Sequence, residues 1–200
     1  QTETSLYAKM ANVEAAFRNL HQDLLDGCKA GDQKAQFQIY KLYYKAMYNT
    51  SLRIVNDTME AEDIMQESFL SAFEKIDTYS GTVSFGAWLK KIVVNRSLDA
   101  LSKKKAVFED IESHIEIRDY SEEDNSGREE MDIRVEEVKE AIESLPDGYR
   151  IILSLYLLEG YDHDEISDIL GISSSTSRSQ LSRAKQKLIA ELKVKENIRR

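Results

Sequence analysis

The chain has 200 residues, a formal net charge of −9, 8 glycines, 1 proline and 1 cysteine. That length allows one domain or two, the lone Cys28 excludes an internal disulfide framework or zinc cluster, and no cofactor or metal is expected. No apolar run is long enough to span a bilayer and no charged-then-apolar leader opens the chain, so no membrane insertion is expected and the cytoplasm is the expected compartment.

Amphipathic patterns at helical spacing cover most of the chain, which reads as all-α: two small helical bundles joined by an acidic linker, the second ending in a helix-turn-helix. Residues 1–9 carry no strong pattern and precede Met10, so part of this segment reads as a frayed end. The spacing of Val13, Phe17, Leu20, Leu24 and Leu25 predicts a helix over Asn12 to Lys29, ended by Gly31-Asp32. Asp32 to Val55 carries apolar residues on more than one side, as expected of a helix central to a bundle. Asn56-Asp57 gives a turn.

A helix is then expected over Ala61 to Ile76 with Ile64, Phe69, Leu70 and Phe73 facing inward. Glu60, Asp63, Gln66, Glu67 and Glu74 fall on its other side: either a solvated face, or a docking face for a basic protein. The hydroxyl-rich stretch Asp77 to Ser84 reads as a loop containing Tyr79. Phe85 to Lys105 reads as a basic helix with Trp88, Ile92, Leu98 and Leu101 inward and Asn95 and Arg96 midway along it. Taken singly, Phe85 and Trp88 read as core anchors and Asn95 as a surface amide. In combination, a basic helix beside an aromatic-bearing polar loop suits single-stranded nucleic acid, because bases stack on rings while cations track phosphates.

Phe108 to Asp132 is dominated by Asp and Glu and reads as a linker, either a plain tether or an acidic strand suited to a positively charged channel. Val135 to Leu145 reads as a helix closed by Pro146, and Tyr149 to Leu158 as the core helix of the second half. From Tyr161 to Leu188 the pattern is that of a helix-turn-helix. Ile166, Ile169 and Leu170 form an apolar face, Gly171 turns, Ile172 fills the corner, and Ser173 or Ser174 caps the next helix. There Leu181, Ala184 and Leu188 point inward. Ser175, Arg178, Ser179, Ser182 and Arg183 share an outer face free of acids, with Lys185, Lys187, Lys193 and Lys195 around and beyond it. Such a helix fits a DNA major groove. The bland alternative is a helical hairpin with a solvated polar face.

With these motifs located, the chain resembles the extracytoplasmic-function sigma factors of bacterial RNA polymerase. The resemblance runs from about Leu24 to Leu192 and is carried by AEDIMQESFLSAF (Ala61 to Phe73), FGAWLKKIVVNRSLD (Phe85 to Asp99), LPDGYR (Leu145 to Arg150) and EISDILGIS with RSQLSRAKQKL (Glu165 to Ser173, Arg178 to Leu188). It implies polymerase docking and minus-ten recognition and melting over residues 12–105, a linker over 106–132, and minus-thirty-five recognition over 133–195. The implied partners are core RNA polymerase (the clamp helices of its largest subunit and the flap of its second), promoter DNA and an anti-sigma factor.

By position, Asp63, Gln66, Glu67 and Phe69 match the polymerase-docking face. Tyr79, Ser80 and Gly81, with Lys91, Asn95 and Arg96, match the minus-ten surface, where a flipped base is taken into the loop pocket. Ser174, Ser175, Thr176, Arg178, Ser179, Ser182, Arg183 and Lys187 match the minus-thirty-five reader. Two positions depart from the family pattern: Ser177 where an apolar residue is usual, and Gln180 where Arg is frequent. No catalytic cluster is recognisable, and His21, His114 and His163 read as incidental, so the chain is not expected to be an enzyme. The competing expectation is a stand-alone regulator that binds duplex DNA without polymerase.

Overall fold

The computed structural model describes residues 21–104 and 135–199. Expectations for residues 1–20, for Lys105 and for the acidic stretch 106–132 lie outside the described residues, as do those for the Lys104 and Lys195 side chains. The chain divides into two compact units, residues 1–98 and 99–200.

In the first unit α1 is Gln22–Lys29, α2 is Gln33–Val55, α3 is Thr58–Glu74 and α4 is Phe85–Lys104, with a 3-10 turn at Ile76–Thr78 between the last two. Of the helix expected over Asn12 to Lys29, the described part is α1, Gln22–Lys29. His21, just ahead of it, sits at φ 71°, a left-handed backbone. Asp32 caps α2 by accepting from the Lys34 amide at 2.8 Å. Asn56, at φ 55°, closes it. Asp57 then caps α3, accepting from the Met59 and Glu60 amides at 3.0 Å each.

Ile39, Ile54, Leu89, Val93 and Val94 are wholly buried in this unit. The inward set expected for α4 is therefore incomplete. Leu98 and Leu101 are buried, but Trp88 and Ile92 are only half-buried, and the adjacent pair Val93-Val94 lies deeper. Neighbouring residues of one helix point about 100° apart, so both are buried only where the helix is flanked on two sides. One flank is α2. The buried Ser97 hydroxyl donates to the Val93 carbonyl at 2.8 Å, so Ser51 of α2 donates to Ser97 at 2.9 Å. Gly86 lies against Tyr43 of α2: a Cβ there would stand 2.9 Å from the ring. The other flank is α3, reached by Arg96.

In the second unit α5 is Val135–Glu143, α6 is Asp147–Leu153, α7 is His163–Leu170 and α8 is Ser174–Arg199. Pro146 stands just ahead of α6. The core helix expected to reach Leu158 changes character at Ser154. From there it widens into a π turn, with the Glu159 amide bonding the Ser154 carbonyl at 2.9 Å. Ile151, Ile152, Leu153 and Leu155 are buried, whereas Leu157 and Leu158 are exposed. Arg150 is 2 % exposed. It is held by Asp147 at 2.7 Å and by the Leu145 carbonyl at 3.4 Å, a structural role for the LPDGYR motif.

Candidate nucleic-acid interface

The helix-turn-helix is built as the pattern requires. Asp162 and Glu165 form a reciprocal capping box at the start of α7. Gly171 at φ 67° makes the turn, and Ile172 lines a small crevice with Ile151, Ile152 and Leu170. Of the two candidate caps for α8, Ser173 serves: its hydroxyl accepts from the Thr176 amide at 3.0 Å.

The outer face of α8 brings Ser175, Arg178, Ser179, Ser182 and Lys187 together as exposed residues, with Arg183 half-buried beside them. Lys187 pairs with Glu191 at 3.4 Å. Two other assigned readers turn inward. The Ser174 hydroxyl bonds the Asp164 carboxylate and the His163 carbonyl of α7. Thr176 is half-buried and bonds Ser173 at 2.8 Å. In this arrangement both residues shape the joint between α7 and α8.

That joint contains what sequence reasoning missed. Ser177 is wholly buried, and its hydroxyl lies 2.9 Å from Nδ1 of His163. The imidazole in turn stacks on Tyr156, with centroids 4.9 Å apart and 27° between planes, and the Lys185 ammonium lies 5.4 Å from the centre of the Tyr156 ring. A buried hydroxyl needs a partner, and His163 supplies it. The available signal was a serine at an apolar position together with a histidine at the start of the preceding helix.

In the first unit, Lys91 and Asn95 stand one turn apart on an exposed strip of α4. Ser80 is exposed, and Gly81, at φ 75°, bends the loop. Tyr79 is half-buried: its hydroxyl donates to the Val83 carbonyl at 2.7 Å, and its ring meets those of Phe85 and Trp88 at 5.6 and 5.5 Å. Burial pushes the Tyr79 phenol above its ordinary range. Tyr79 thus folds the loop from within, while Ser80 and Thr82, 3.1 Å apart, occupy its outer edge.

On α3, Asp63, Gln66 and Glu67 are exposed on one strip. Phe69, assigned to that strip by position, is instead 3 % exposed, packed on Tyr40 and Phe73 at 5.0 and 6.0 Å. Leu70, expected inward, is 64 % exposed. The reason is angular. Asp63, Gln66, Glu67, Leu70 and Glu74 follow the i, i+3, i+4 spacing of one outer face, and Phe69 falls on the inner one with Ile64, Met65, Ser68 and Ala72. This exposed strip therefore carries an apolar tooth, Leu70, among its acids. Glu67 also reaches Arg96 of α4 at 2.8 Å.

Cys28 lies in the core, and burial, with Asp32 adding, raises its thiol pKa, which keeps it unreactive. Among the described residues no group of three or more His, Cys, Asp or Glu is placed to hold a metal ion, and no helix is long and apolar enough to cross a membrane.

Comparison with known proteins gives the family. The Sigma-70 region 2 family model matches residues 39–107 and the Sigma-70 region 4 model matches residues 135–188. The ECF RNA polymerase sigma-E factor of Salmonella typhimurium strain LT2 is 30% identical over 189 residues, covering 90% of this chain and 96% of that protein. The ECF sigma factor SigW of Bacillus subtilis is 29% identical over 173 residues, covering 82% and 92%. Among solved structures, the sigma factor RpoE of Bartonella quintana, crystallised with the anti-sigma factor NepR, matches with a TM-score of 0.53 at 23% identity. That match covers 78% of this chain and 96% of RpoE and supports the same fold. The architecture is that of a sigma-70-type initiation protein with its region 2 and region 4 modules. The chain belongs to the extracytoplasmic-function sigma factors, which bind core RNA polymerase and direct it to promoters.

Proposed function

We propose that the first unit docks on core polymerase through Asp63, Gln66, Glu67 and Leu70 of α3, and captures unpaired bases of the minus-ten element at the Ser80–Thr82 loop edge and at Lys91, Asn95 and Arg96 of α4. The second unit reads the minus-thirty-five element as duplex through Ser175, Arg178, Ser179, Ser182, Arg183 and Lys187 of α8. The residues 106–132 between the two modules serve as the acidic linker. The work is recognition, in the cytoplasm, and no bond is made or broken. Unstacking a base costs a few kcal/mol, and a loop and helix face already folded around Tyr79 repay that cost only for a base that fits.

The observation that supports this most is the division of charge within one small unit: an acidic strip on α3 and a Lys-Asn strip on α4, each exposed. An anti-sigma factor, of the kind seen with B. quintana RpoE, is the proposed inhibitor, competing for these strips. The stand-alone regulator reading is not favoured, since both sigma modules are present in order. The deciding experiment is promoter opening by reconstituted holoenzyme. Asn95→Ala should abolish open-complex formation and retain core binding; loss of both would assign Asn95 to folding. Arg178→Ala should weaken upstream-element binding by about 1–3 kcal/mol; unchanged affinity would remove it from the reader.

A further inference from the structure

The acidic strip of α3 and the DNA-facing strip of α4 are not independent. Arg96 Nη1 lies 2.8 Å from Glu67 Oε2, and the two side chains are 38% and 64% exposed. A guanidinium held by a carboxylate offers little net charge to a phosphate. A carboxylate held by a guanidinium offers little to a basic protein surface. Either partner binding at this point competes with the pair for its residue's charge.

We propose that Glu67 and Arg96 form a latch in the free protein. Each masks the other until core polymerase takes the Glu67 carboxylate, which releases Arg96 to a promoter phosphate. This rests on the assignment of Glu67 to docking and Arg96 to DNA. The two sites then share one breakable contact, and the coupling runs both ways: polymerase raises the affinity for DNA by the factor by which DNA raises the affinity for polymerase. An exposed ion pair sets the size of that factor at about 1.5–5-fold. The direction suits a chain with net charge −9, in which a cation left unmasked would be of use only after docking.

The latch makes a prediction of opposite sign to the usual loss of function. In the full-length protein at low salt, Arg96→Gln should tighten binding to core RNA polymerase by about 1.5–5-fold, because Glu67 is freed. Glu67→Gln should weaken binding to core polymerase, yet tighten binding of the isolated protein to an oligothymidine strand by a similar factor. In the double variant Arg96→Gln should add nothing to core affinity. Both gains should fade at high salt. Arg96→Lys, which keeps a cation beside Glu67, should stay near the parent. Lys103→Gln removes the same charge from an exposed site on the same helix and should give no comparable gain.

Unchanged or weakened core binding by Arg96→Gln, with Glu67→Gln still impaired, overturns the latch and leaves the docking surface standing. An equal gain from Lys103→Gln or Arg96→Lys reduces the effect to bulk charge and overturns it too. Unchanged core binding by Glu67→Gln removes both the latch and the assignment of Glu67 to docking.

Discussion

The joint between α7 and α8 predicts an asymmetry between two substitutions at a single hydrogen bond. Ser177→Ala removes the buried hydroxyl and leaves His163, which is half-buried and can turn to water. The lost bond costs about 0.5–1.5 kcal/mol, partly offset by the better helix propensity of Ala, worth up to about 0.5 kcal/mol. His163→Ala does the reverse. It strands the Ser177 hydroxyl in a site with 0% exposure, at about 1–3 kcal/mol. It also removes the stack on Tyr156, at about 0.5–1.5 kcal/mol. The expected cost is about 1.5–4.5 kcal/mol for His163→Ala against about 0–1.5 kcal/mol for Ser177→Ala. The double variant should lie below the sum, because with both partners gone nothing polar is left unpaired. Amide hydrogen exchange across α7 and α8 in the full-length chain reads the second unit directly. Fluorescence of the single tryptophan, Trp88, reports the first as an internal control. A Ser177→Ala cost equal to or above that of His163→Ala would refute the account.

On α3, Phe69→Ala should destabilise the first unit by about 3–5 kcal/mol, whereas its neighbour Leu70→Ala should leave stability unchanged and weaken core polymerase binding; thermal unfolding and a holoenzyme titration separate the two. Gly86→Ala should push α4 off Tyr43 at a cost of about 1–3 kcal/mol, read as a lower urea midpoint of Trp88 fluorescence. The Tyr161 phenol is pushed up to about 12, by burial first and by Glu159 and Glu165 after it. Its folded pKa therefore lies above the ordinary value of 10.0. The stability it confers is complete below that ordinary value and is lost as pH rises through the folded one. Alkaline unfolding should be less steep in Tyr161→Phe, and an unchanged profile would contradict the burial of that hydroxyl.

Helix order, the cap at Ser173 and the turn at Gly171 were legible because each is written locally, as a hydroxyl where the first amides of a helix need one and a glycine where the backbone turns left-handed. What escaped was decided by packing at a distance. Leu70 is the exception: the local spacing of Asp63, Gln66, Glu67 and Glu74 puts it on the outer face, and Phe69 on the inner one against Tyr40 of α2. Val93 and Val94 become core because α4 has neighbours on two sides. Ser174 and Thr176 match a DNA-reading face by position, but the nearness of Asp164, His163 and Ser173 claims their hydroxyls. His163 seemed incidental because its partner lies 14 residues away on another helix.

Gly86 gives the fold a property beyond compactness. With no side chain there, α4 rests directly on the Tyr43 ring, and nothing spaces that end of the helix carrying Lys91 and Asn95 from α2. Under the proposed function, a nucleotide at that strip meets a helix seated directly on its neighbour, and discrimination among bases depends on their own outline and edge chemistry. Under the same proposal, an enlarged residue at this point would tilt that helix and blur the choice of start site before it abolished transcription.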